Sequence, residues 1–244
     1  MFVILFALSV LGDNWCPTIE NQTLPNDPIY VLNYEFVDAK CTKEACKLPK
    51  ILSTYVGGDK INYLTVLDEN NKPMTCCDFE GRREDIETYV PNMVKHNMFY
   101  QSQLGMYWSS FTECNNAEKA YVQYGSCFPP QFNSPYGYFN LTLLTFQDYN
   151  VWSIIRNYYT EYFNGVYSVE KLNNLLNTRG YTHNVQWICG TSDDIVLKSV
   201  NVCFKMVDNK MSQVECPAVE GMCGAYVSFS YGASVKPDDA SCPY

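Results

Sequence analysis

The chain has 244 residues, 47% of them apolar and 18% charged, which excludes a disordered or acidic solvating segment and is material enough for a sizeable core. Its 17 basic and 26 acidic residues leave a formal charge of −9, which argues against tight nonspecific binding to nucleic acid or anionic membranes. Twelve cysteines, an even count, indicate disulfides and an oxidising compartment, while only two histidines, His96 and His183, are available for imidazole chemistry.

Residues 1–12, MFVILFALSVLG, form an uncharged apolar run. It is too short to span a bilayer, which takes about 20 residues. It fits the apolar region of a signal peptide cut ahead of Asp13, and the missing basic n-region is what a truncated leader would show. No later run is long enough to span a membrane, so residues 13–244 are expected as one secreted domain, or one delivered to a lysosome-like compartment. Sequons at Asn21 and Asn140 are expected to carry glycans.

Strand composition appears at Tyr30–Phe36, Ile51–Val56 and Tyr63–Leu67. Residues 82–96 have helical content, with Ile86, Val90 and Val94 in register and Pro91 as a kink or stop. Residues 149–158 place Val151, Ile154 and Ile155 on one helical face, and Ser168 caps a helix with Val169, Leu172, Leu175 and Leu176 inward and Gly180 after its end. Val196 to Phe204 then alternate with period two, and Met211–Cys216 run back. A two-residue loop at Asn209-Lys210 would set Asp208 opposite Met211 and Cys203 opposite Cys216, close to disulfide geometry. Residues 225–231 offer one more strand. The sum is an α+β fold, an antiparallel sheet flanked by helices and rich in disulfides.

The cysteine neighbourhoods can then be taken together: CTKEAC at 41–46, Cys76-Cys77, YGSC at 124–127, the YF…TL run at 138–143, GYT at 180–182, and the closing pattern of Cys189, Cys203 and Cys216-Pro217. This order resembles the ribonuclease T2 family across nearly the whole mature chain. The resemblance implies disulfides Cys189–Cys223, Cys41–Cys46 and Cys77–Cys127; Cys76–Cys114 and Cys16–Cys242 then follow by elimination. It also implies an activity: cleavage of single-stranded RNA through a 2′,3′-cyclic phosphate, one histidine acting as base and another as acid, with Glu and Lys stabilising the phosphorane.

The family's FTIHGLWP motif falls on residues 51–58, its histidine on Ser53 or Thr54. The HEWEKHG motif, laid against Cys127 without a gap, puts its histidines on Lys119 and Tyr124, its Glu on Ala120 and its Lys on Gln123; with an insertion at 113–118 the first histidine falls on Ser110. No catalytic histidine survives in either alignment. His96 and His183 sit outside the motifs, and an ordinary Lys or Tyr has the wrong pKa for proton transfer near neutrality. No serine-hydrolase, P-loop or dinucleotide motif occurs, no cofactor is called for, and cysteines without histidine partners indicate disulfides rather than a metal site. The expectation is a secreted T2-like glycoprotein without turnover that binds single-stranded RNA or a cell-surface receptor. Two rivals stay open: an acid endoribonuclease with a site rebuilt from Lys119, Tyr124 or His96, and a structural or storage glycoprotein.

Overall fold

A computed structural model describes residues 16, 22–36, 59–77, 97–108, 116–158, 165–190 and 195–229. The expected strand at 51–56, the helix at 82–96, the leader at 1–12, and residues Asn21, Cys41, Cys46, Cys114 and Cys242 lie outside them.

The described elements are β1 (Tyr30–Phe36), β2 (Asp59–Val66), α1 (Met98–Tyr107), α2 (Asn116–Tyr124), α3 (Pro135–Asp148), α4 (Val151–Tyr158), β3 (Val166–Ser168), α5 (Val169–Asn177), β4 (Gln186–Ile188), β5 (Ser199–Val207), β6 (Lys210–Val214) and β7 (Tyr226–Ser228). The main sheet is antiparallel, ordered β2-β1-β5-β4, with β6 also paired to β5. β3 and β7 form a separate pair. The fold is α+β and disulfide-bonded, as the sequence pattern implies.

Period two decides which face of the sheet is covered. Tyr30, Leu32, Tyr34 and Phe36 of β1 belong to the main core, together with Ile61, Leu64 and Val66 of β2 and Val200, Val202 and Phe204 of β5. Helices α1 to α4 contribute Leu104, Tyr121, Tyr138, Phe139, Phe146, Val151 and Ile155 to the same core. α5 forms as its caps dictate. The Ser168 hydroxyl accepts from the Lys171 amide, and the chain closes with Tyr181 N–H on Leu176 O and Gly180 N–H on Asn177 O. That closure needs a left-handed residue, and Gly180 has φ +104°.

β2 is the edge strand of the described sheet, and main-chain groups of Asn62, Leu64 and Val66 on its outer side find partners. The Trp108 indole donates to Asn62 O at 3.2 Å, the Tyr138 hydroxyl donates to Leu64 O at 2.8 Å, and the Met74 amide donates to Val66 O at 2.8 Å. The Tyr138 oxygen also accepts from Leu64 N–H. Three separate elements thus close the edge at every second residue, which removes a template for pairing with another chain.

Two expectations are corrected here. The hairpin pairs Val207 with Lys210, so Cys203 faces Val214 and the register is displaced by two residues. The loop is Asp208-Asn209, with φ of 50° and 61°. A tight hairpin of this hand needs positive φ at both central residues, which Asp and Asn tolerate better than Lys. A shift of two keeps the same face, so Cys203–Cys216 still forms, with Cα atoms 5.2 Å apart. Secondly, Cys76 bonds to Cys16, so neither the Cys76–Cys114 nor the Cys16–Cys242 pairing holds. The Cys76 amide donates to Gln123 O, and Cys16 and Cys76 cluster with Val122 of α2. Cys16 is therefore held beside α2, which elimination among cysteines has no means of showing. Cys77–Cys127 and Cys189–Cys223 form as expected.

One buried group carries an electrostatic cost. Asp59 is 5% exposed, and among the described residues its Oδ2 has no hydrogen-bond partner, nor has the buried Tyr181 hydroxyl. Burial pushes the Asp59 carboxyl up to about 7, against partial relief from its own backbone, Lys60 and the Trp152 backbone. Burial likewise lowers Lys60 to about 8, with Asp59 opposing.

Two outcomes are expected. Tyr138→Phe leaves both Leu64 main-chain groups buried without a partner and should cost about 1–3 kcal/mol in urea denaturation, whereas Tyr136→Phe, on a side chain 52% exposed, should stay within about 0.5 kcal/mol; equal effects would refute the edge assignment. For Asp59 the native carboxyl keeps a proton that the unfolded chain loses near the ordinary carboxyl value of 3.8, so its contribution is complete below pH 4 and is lost as pH rises to about 7. Asp59→Asn should flatten the stability loss between pH 4 and 7, gaining up to roughly 4 kcal/mol at pH 8. Superimposable profiles for the two proteins would disprove it.

Candidate functional site: a tyrosine pair and an amide row on the open sheet face

The face of the sheet opposite the helices carries a row of carboxamides. Asn62 Nδ2 donates to Asn33 Oδ1 at 3.0 Å, Asn33 Nδ2 to Asn201 Oδ1 at 2.7 Å, Asn201 Nδ2 to Gln186 Oε1 at 3.2 Å, and Gln186 Nε2 to Pro217 O at 2.6 Å. The register builds it: Asn33 lies opposite Asn201, and Gln186 opposite Asn201 from the other side. The β1–β2 pairing slips between Asn33 and Tyr34, leaving Asn62 as the extra residue on β2, within reach of Asn33. The row thus crosses β2, β1, β5 and β4 and ends on the segment after Cys216. A groove of about 260 Å³ lies over it, lined among others by Asn33, Tyr63, Thr65, Gln186 and Asn201. Each central amide spends one N–H and one lone pair within the row and keeps one of each to offer.

At the β2 side, Tyr63 meets Tyr124, the last residue of α2, with ring centroids 4.6 Å apart. Burial pushes the Tyr63 phenol up to about 12, with Tyr124 and Glu35 adding to it. Burial also raises Tyr124. Both phenols stay protonated across the physiological range, so they can donate hydrogen bonds and stack, and neither can act as a base. α2 is held in place by Cys77–Cys127 just beyond its end, by the Cys76 amide on Gln123 O, and by the Tyr121 hydroxyl on Asn133 O at 2.9 Å.

The sequence-derived positions fall as follows. Lys119, Gln123 and Tyr124 are half-buried on α2, whereas Ala120 is 3% exposed and packs in the core. Ser53, Thr54, Ser110 and His96 lie outside the described residues. The sheet residue in contact with Tyr124 is Tyr63, which sequence reasoning read only as the start of a strand. Asn33, Asn62, Asn201 and Gln186 were also missed; Asn33 and Asn201 break apolar runs, and that was the available signal.

His183 is far from this pair. Its main chain is clamped by Gln213, whose Oε1 accepts from the His183 amide and whose Nε2 donates to the His183 carbonyl. Its Nδ1 lies 3.5 Å from Glu215 Oε2 on an open surface. That is the β6 side of β5, with β1 and then β2 beyond, three strand spacings or roughly 14 Å across the sheet. Asn140 is half-buried on α3. Among the described residues no group of three His, Cys, Asp or Glu side chains could hold a metal, and no helix is long and apolar enough to cross a membrane.

Solved structures share this architecture. An RNase-related protein from Calystegia sepium superposes with a TM-score of 0.66 at 18% identity, covering 84% of this chain and 98% of its own. Trichomaglin, described as a novel S-like ribonuclease, gives 0.64 at 18% identity, covering 83% and 97%. Ribonuclease MC1 from bitter gourd seeds gives 0.63 at 18% identity, covering 83% and 100%. No curated protein sequence matches the chain. The family model for the ribonuclease T2 family matches residues 28–216. With that match over most of its length, and the fold and disulfides described above, the chain belongs to the ribonuclease T2 family.

Proposed function

We propose that this chain is a secreted T2-fold glycoprotein whose groove binds single-stranded RNA without cutting it. The observation that carries this reading is the Tyr63–Tyr124 contact: aligned on Cys127, the family's last motif histidine falls on Tyr124, and the side chain that meets it from the sheet is another tyrosine. Two neutral phenols cannot move protons as a base and acid must, and general acid–base groups contribute typically 10²- to 10⁴-fold each. What they retain is an aromatic surface of the kind bases stack on, beside an amide row with spare donors and acceptors.

The charge of −9 sets the character of the binding. Affinity rests on stacking and carboxamide hydrogen bonds rather than phosphate neutralisation, so its salt dependence is shallow. The groove of about 260 Å³ lies below the usual range for drug-sized ligands and suits a base rather than a folded RNA.

The test is a labelled single-stranded RNA octamer, followed by anisotropy for binding and by cyclic-phosphate formation between pH 4 and 8 for cleavage. Binding without product is expected, with a log–log salt slope shallower than about −2. Tyr63→Ala should weaken binding roughly 5- to 100-fold, the range for loss of one stacked base. Cyclic phosphate that disappears in Lys119→Ala or His96→Ala would establish the rebuilt enzyme instead. Neither binding nor cleavage would overturn the RNA reading and leave a protein receptor as the ligand to seek.

The double replacement Tyr63→His with Tyr124→His should yield weak cleavage where each single change yields none, because base and acid act as a unit. Activity in either single variant would contradict the pairing of these two positions.

A further inference from the structure

A second cavity, of about 520 Å³, lies between the end of α3, the turn after α5 and the β5–β6 hairpin. It shares no lining residue with the groove over the amide row. Its first wall is a helical stripe. Leu141, Leu144 and Asp148 follow one another at i, i+3 and i+7 along α3, so they stand on one face. Leu141 is 8% exposed and closes the inner end, while Leu144 is 52% exposed. Leucine at that position sits over open space that apolar matter would fill. Met211 of β6 adds to the apolar lining.

The other walls bring cations. Arg179 is anchored where the chain leaves α5, its amide donating to Leu176 O. Lys210 is the first residue after the hairpin loop, opposite Val207. Both side chains are exposed, and neither they nor Asp148 engage an ion pair or a hydrogen bond through the side chain among the described residues. In a chain with 26 acidic residues against 17 basic ones, two cations from separate elements, without a partner among the described residues and lining one hollow with Leu144 and Met211, need a reason. Gly180 leaves the space beside Arg179 open, since a Cβ there would meet nothing within 4 Å.

We infer that this cavity is a binding site for a small amphiphilic anion, an alkyl chain carrying a carboxylate or phosphate head. The head pairs with Arg179 and Lys210, and the chain lies on Leu141, Leu144 and Met211. The volume falls within the range for small-molecule sites. Asp148 leaves a net charge of one positive unit, so the site prefers a single anionic head and repels a second. An anion held by two otherwise unpaired cations gains charge-assisted hydrogen bonds that a neutral head cannot make. The site is independent of the RNA reading and stands if that reading falls.

The experiment is calorimetric titration of the purified full chain with decanoate, decyl phosphate and neutral decyl maltoside, each below its micellar concentration. Both anions should bind saturably with one site, at least tenfold more tightly than the maltoside, and the stronger of the two identifies the head group. The double variant Arg179→Gln, Lys210→Gln should lose tenfold or more for the anions and leave the maltoside unchanged. Asp148→Asn should tighten anion binding several-fold, and Leu144→Ser should weaken all three. These side chains are exposed, so an unchanged thermal midpoint for the ligand-free variants separates loss of binding from loss of fold, and RNA binding by the same variants should match the parent. Absence of saturable binding up to millimolar ligand, equal affinity for the maltoside, or indifference to the double variant would each overturn the assignment.

Discussion

The structure depends on how the free edge of β2 is closed. An edge strand exposes alternate N–H and C=O groups, and leaving them buried and unpaired costs more than most single contacts return. Here an indole, a phenol and a returning main-chain amide meet Asn62, Leu64 and Val66 in turn. The Tyr138 ring also lies in an aromatic cluster with Trp108, Tyr121, Phe128 and Phe139. The same side chain therefore fastens α3 to the sheet and gives α2 a surface to pack on. The position of Tyr124 against Tyr63 follows from that packing and from Cys77–Cys127 at the end of α2.

The two faces of the sheet have been given different chemistry. On the covered face, Tyr34 sends its hydroxyl to Tyr149 O at 2.7 Å, and the phenols sit deep enough that burial raises them well above their ordinary range. On the open face the hydrogen-bonded row is made of amides, which carry no charge to desolvate and can each make several hydrogen bonds. A sheet built this way holds polar side chains at 5% exposure, such as Asn33 and Gln186, without an ionisation cost. It contrasts with Asp59, on the same strand as Asn62, where a carboxyl in comparable burial keeps its proton to about neutral pH.

Much of the fold was legible because local signals agreed with the tertiary outcome. β1 runs over 30–36 as its composition indicates, and α5 starts at the Ser168 cap and stops at Gly180. The hairpin register was legible only to within two residues. Several adjacent residues have turn chemistry, and the sign of φ at Lys210 is not written in its neighbours. Cys16–Cys76 was illegible for a different reason: the pairing is set by where α2 lies, a tertiary fact. So is the Tyr63–Tyr124 contact. The family motif directs attention to residues 51–58, while the residue that touches Tyr124 lies further along the chain on β2. Hydrogen bonding among Asn33, Asn62, Asn201 and Gln186 needs three strand pairings to be known first.

The amide row also has a sense. Every member donates toward β4, and the last acceptor, the carbonyl of Pro217, can only receive. A carboxamide can turn over in place, but the carbonyl cannot, so the orientation of Gln186 is dictated, and through it those of Asn201, Asn33 and Asn62. The consequence appears at the opposite end. Asn62 gives one N–H to Asn33, and its oxygen accepts nothing within the row, so that end keeps both lone pairs against a single remaining N–H. A fixed main-chain carbonyl about three strands away thus decides that the β2 end of the row is richer in acceptors than in donors.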